Sequence, residues 1–151
     1  MNDERRKLDP VLTAVLANRI DGVVREMTNT LLRTARSTFI NSARDFSCAI
    51  CTGSGELFAV AEGLPIHIFG TDKQARMMAE THPDMAEGDC YLHNDPYSGN
   101  THAADHAFMV PVFFEGEHMF TAVARPIRPI AATVCRRPTW PSPRTCTRKV
   151  P

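Results

Sequence analysis

The chain has 151 residues, 43% of them apolar and 23% charged, a balance that suits one globular domain and excludes disordered and fibrous classes. No window approaches the run of about eighteen apolar residues that a membrane span needs, and the charged start, Met1 to Lys7, lacks the apolar stretch of a signal peptide. A soluble, cytoplasmic protein with no membrane partner is therefore expected.

Asp9-Pro10 reads as an N-cap followed by proline in the first turn. Leu12, Leu16, Ile20, Val23, Met27 and Leu31 then recur at helical spacing, which predicts a long amphipathic helix to about Arg36. Ala43 to Cys51 reads as a strand, Thr52-Gly-Ser-Gly55 as a turn, and Glu56 to Ala61 as the returning strand. Cys48 and Cys51 stand at C-x-x-C spacing, but they lie in an apolar strand with no second pair, so two buried thiols in a reducing compartment are expected. Leu64 to Phe69 is a short apolar run, and Asp72 is expected to cap a helix carrying Met77 and Met78. Asp89 to His93 reads as a strand, and Ala107–Phe114 and Met119–Ala124 as a second hairpin around Glu115-Gly-Glu117. Helices and antiparallel pairs mix without a regular βαβ alternation, so the class is α+β.

The densest polar stretch is the loop from Asn94 to Asp105, held at both ends by apolar strands. Within it His102-Ala-Ala-Asp105 sets an imidazole and a carboxylate three positions apart, near enough to share one divalent cation. That mixed donor set suits manganese, zinc or ferrous iron better than magnesium or calcium. A third donor must come from elsewhere, and His106, His93 and His67 qualify by residue type alone. An H-x-x-D sequence is also met as a plain hydrogen-bonded turn. Asn94-Asp95-Pro96 makes a good turn on its own, because Asx side chains bond the backbone and proline fixes φ. P-loop, dinucleotide-binding and nucleophile-elbow motifs are all lacking.

The zero net charge hides a split. Through Ala124 there are ten basic residues against all seventeen acidic ones, a net −7, whereas the last 27 residues hold seven basic residues and no acid. Those 27 also carry six of the eleven prolines and the single tryptophan, Trp140. A basic tail without interleaved aromatics does not suggest nucleic acid. Residues 1–124 are read as one unit and 125–151 as a segment foreign to it, irregular because proline removes backbone donors and like charges repel.

Leu31-Leu-Arg-Thr-Ala-Arg-Ser37, Arg44-Asp-Phe-Ser-Cys48 and Asn94-Asp-Pro-Tyr-x-Gly-x-Thr-His102 with Asp105 together resemble the hydantoinase B/oxoprolinase family. Asp9-Pro10-Val, Pro65-Ile-His67 and Val110-Pro-Val-Phe113 are similar in order and spacing. The resemblance implies the N-terminal part of a larger domain, from a subunit that opens cyclic amides such as hydantoin or 5-oxoproline in an ATP-dependent reaction. It also implies a hetero-oligomer, with ATP handled by a hydantoinase A-type partner subunit and a small-molecule substrate. A carboxylase branch acting on acetone-type ketones is the alternative, and an inactive truncated product is a second. In that branch the matching His-x-x-Asp binds manganese, which makes His102 and Asp105 metal ligands in a Lewis-acid role. Asn94 and Asp95 become candidates for lining the pocket or for direct catalysis. The third ligand, 22 positions beyond Asp105, falls on Ile127, where the sequence departs from the family. Loss of one base near the Arg125 codon accounts for the departure. Rebuilding each codon across that break gives HQADCGN and onward without a stop, with histidine in the Ile127 position. The expected product is a family fragment with a frameshifted tail.

Overall fold

In this computed structural model, residues 9–61, 68–127 and 147–150 are described, the last four by backbone alone. Helix α1 spans Pro10–Thr34, and the Asp9 carboxylate accepts the Val11 N–H at 2.9 Å as its cap. A one-turn helix, α2 (Thr38–Asn41), leads into strand β1 (Phe46–Thr52), which turns back into β2 (Leu57–Val60). Helix α3 covers Thr71–Thr81, and β3 covers Cys90–His93. After the polar loop come β4 (Ala107–Phe114), β5 (Glu117–Pro126) and β6 (Thr147–Val150). The strands form one sheet in the order β2-β1-β5-β4-β3-β6, antiparallel at each pairing. The fold is α+β, as the sequence pattern implied.

Burial explains the layering. Strand β1 is buried along almost its whole length because helices cover both of its faces. On one side Phe46, Cys48 and Ile50 meet Val24 and Ile40, with Ile20, Met27 and Leu31 of α1 against them. On the other side Cys51, Val123, Met109 and Tyr91 meet Ala75 and Met78 of α3. Further along the sheet β4 alternates: Ala107, Met109 and Pro111 are buried on the α3 side, while Phe108, Val110 and Val112 remain exposed on the α1 side. Cys48 and Cys51 are free buried thiols, as expected for strand residues.

One sequence reading needs correction. Helix α3 is capped by Gly70 rather than Asp72: Gly70 adopts φ +79 and its carbonyl accepts the Gln74 N–H at 2.9 Å, which leaves Asp72 in the first turn. There its charge still complements the helix dipole. At its end β5 runs on through Arg125 and Pro126 in full register with β1, Ser47 opposite Arg125 and Phe46 opposite Pro126. Thr147–Val150 pairs with β3, whose second edge offers its backbone groups to an extended segment. The rest of the tail, together with His67 and its Pro-Ile-His segment, lies outside the described residues.

Candidate functional site

The polar loop is built by its own side chains. Asp95 caps a single 3-10 turn, Pro96–Ser98: its Oδ1 accepts the Tyr97 N–H at 3.1 Å and its Oδ2 accepts the Ser98 hydroxyl at 2.7 Å. Asn94 donates its side-chain N–H to the Ala103 carbonyl at 3.2 Å, tying the loop's first residue to its far arm. Both candidates from the sequence thus spend polar atoms on loop geometry.

His102 and Asp105 do come together. The His102 Nδ1 lies 3.1 Å from Asp105 Oδ2, which also accepts the His102 backbone N–H at 3.1 Å and the Thr101 hydroxyl. The two differ in exposure, the imidazole being 57% exposed and the carboxylate wholly buried. A half-open imidazole beside a buried anion is an arrangement that can receive a cation from solvent.

The ladder at this end of the sheet shows where residue 127 lies. Asp105 bridges to Ile127 across the end of β4 and β5, and the Ile127 N–H donates to the Asp45 carbonyl at 3.2 Å on the other side. Position 127 therefore lies between Asp45 and Asp105, next to the strand end that carries His102's loop. Two of the other candidate histidines are described. His93 is buried in β3, and the His106 Nδ1 is bonded to the Ala104 carbonyl at 2.9 Å. Among the described residues no group of three or more His, Cys, Asp or Glu side chains could hold a metal ion. The donors among the described residues thus fall short of a coordination set.

Behind the pair lies a buried polar network that the sequence reading missed. Arg125, in β5, is fully buried and donates to the Thr71 hydroxyl at 2.6 Å, to the Phe69 carbonyl at 3.4 Å and to Asn100 Oδ1 at 3.4 Å. Gln74 Nε2 donates to the same Asn100 oxygen at 3.0 Å. The Asn100 amide nitrogen in turn donates to the carbonyls of His102 at 2.6 Å and Asp105 at 2.8 Å. Burial pulls the Arg125 guanidinium down to about 10, while the charge on Asp105 opposes that shift. At neutral pH it is still a cation. An arginine at a strand end and an asparagine after glycine look like surface residues in the sequence, which is why the network was missed.

The protein-family model for hydantoinase B/oxoprolinase matches residues 9–126, and the chain belongs to that family. The match stops at the residue where β5 stops. Caprolactamase subunit beta of Pseudomonas jessenii is 34% identical over 119 residues, 78% of this chain and 20% of that protein. The 5-oxoprolinase of Dictyostelium discoideum is 33% identical over 120 residues, 79% of this chain and 10% of its own. Among solved structures, the ATP-dependent caprolactamase from Pseudomonas jessenii superposes with a TM-score of 0.73 at 34% identity, covering 80% of this chain and 21% of that one. Acetone carboxylase shares the fold, with a TM-score of 0.72 at 24% identity. The chain spans about a tenth to a fifth of the length of the curated relatives it matches. Among the described residues, no helix is long and apolar enough to cross a membrane.

Proposed function

We propose that the chain is the N-terminal segment of a cytoplasmic hydantoinase B/oxoprolinase-type subunit. In its whole form this subunit would open small cyclic amides in an ATP-dependent reaction, with an A-type partner subunit handling the nucleotide. The observation that carries the reading is the strand register around position 127. The position where the family resemblance puts a third ligand pairs across from Asp105 and borders Asp45. In this chain it holds Ile127, an aliphatic side chain with no lone pair to donate. The segment alone is therefore inactive, which is the second reading and is compatible with the first: one describes the family, the other this molecule.

Reconstitution tests both. The present chain, mixed with an A-type subunit and ATP, should hydrolyse neither hydantoin, 5-oxoproline nor caprolactam. A chain with the reading frame restored beyond Pro126 and continued to the relatives' length should open one of these rings with matching ATP consumption. Ring opening by the present chain would contradict the inactive reading. Carboxylation of acetone by the restored chain, without ring opening, would move it to the carboxylase branch.

A further inference from the structure

We infer that Arg125 is a positioning residue for the His102–Asp105 pair and acts through Asn100. The inference deepens the metal-pair reading and rests on it only for the role of the pair; the clasp itself stands on the contacts.

Three segments distant in sequence meet here. Gly70, at the N-terminus of α3, and Gly99, in the loop, approach so closely that a Cβ on either would collide with the other's carbonyl oxygen. Both adopt positive φ, +79 and +100, which glycine alone takes at no steric cost. This contact brings the loop against the start of the helix, and Arg125 closes the third side from β5. Its guanidinium satisfies one acceptor on each partner: the Thr71 hydroxyl on the helix, the Phe69 carbonyl before it and Asn100 Oδ1 on the loop.

Asn100 then relays the constraint. With its oxygen held by Arg125 and Gln74, its amide group can point only one way, so both of its N–H donors meet the carbonyls of His102 and Asp105. Those two bonds fix the backbone at both ends of the His-x-x-Asp segment. Arg125 is suited to this because its planar fork holds several acceptors in a fixed geometry, which a lysine ammonium does not. Desolvating a guanidinium is costly unless it is bonded and balanced by charge. The buried Asp105 carboxylate supplies the opposite charge, so the site's ligand also helps to keep the positioning cation in place.

The test is amide hydrogen exchange on the full chain, read residue by residue. Asn100→Asp keeps the acceptor that satisfies Arg125 but removes both donors to the loop carbonyls. Arg125→Met removes the fork while filling its volume. Each should speed exchange at the His102 and Asp105 amides at least tenfold, and leave Ala49 and Ala122 in the central strands unchanged. Wild-type protection at those loop amides in a folded Asn100→Asp chain would overturn the inference. An equal loss of protection across loop and strands in both variants would also overturn it, since that is what a merely structural role predicts. In an Ile127→His background, Asn100→Asp should weaken cobalt(II) binding at least tenfold, and unchanged affinity there counts against the inference. If Ile127→His binds no cobalt, the metal reading fails, while the exchange pattern still decides whether the clasp exists.

Discussion

Single residues here are governed by what burial does to charge. Asp105 and Arg125 are both fully buried, and each lowers the cost of the other's desolvation. Cys51 shows the opposite case, a buried group kept neutral. Burial pushes its thiol up to about 11, the charge of Asp72 adds to the shift, and its sulfur lies 3.9 Å from the Thr71 carbonyl. Cys48 and Cys51 are both free and buried in the strand, and a thiol held neutral by burial is a weak nucleophile at neutral pH. The shift also has a consequence for stability. Because the folded pKa lies above the unfolded value of 9, the thiol's contribution is complete below pH 9 and is lost as pH rises through 11. Two pKa steps amount to about 2–3 kcal/mol. Denaturant titrations between pH 8 and 11 should show wild-type stability falling across this window, and Cys51→Ser should flatten the fall.

At the scale of elements, the sequence was most legible where a pattern had one physical cause. The α1 helix shows in its cap and apolar spacing, and the β4–β5 hairpin in its alternation around Gly116, which takes φ +84 at the turn. It was least legible where an element ends for tertiary reasons. Composition put the end of the native segment at Ala124, since charge and proline content change there, but charge content cannot report that an arginine is the buried end of a strand. Truncation separates the two boundaries. A chain ending at Ile127 should keep its circular dichroism spectrum and cooperative melting, because β5 and the Arg125 contacts survive. A chain ending at Ala124 should melt less cooperatively and at markedly lower temperature, because Thr71, Phe69 and Asn100 lose their shared donor. Equal melting of the two would show that Arg125 adds nothing. The candidate site was half legible in the same way: the His-x-x-Asp spacing brought His102 and Asp105 together, but Asn100 and Arg125 join them only through loop closure and strand register.

As a whole, the molecule corresponds to a part of a larger fold. It superposes on a fifth of the caprolactamase chain, and the α1 side of its sheet leaves Phe108, Val110 and Val112 exposed where β4 has no helix above it. An apolar strand face left open in this way is characteristic of a surface that another layer is built to cover. The His102–Asp105 pair lies at the same end of the sheet, where the backbone of Ile127 bridges to Asp105 and bonds the Asp45 carbonyl. The proposal that His102 and Asp105 lack only a ligand at position 127 is tested most directly by titrating the Ile127→His chain with cobalt(II) and following the visible absorption. The account predicts one tightly bound cobalt per chain in Ile127→His, lost again when His102→Ala is added, and no stoichiometric binding by the present chain. Tight stoichiometric binding by the present chain, or none after the substitution in a folded protein, would contradict it.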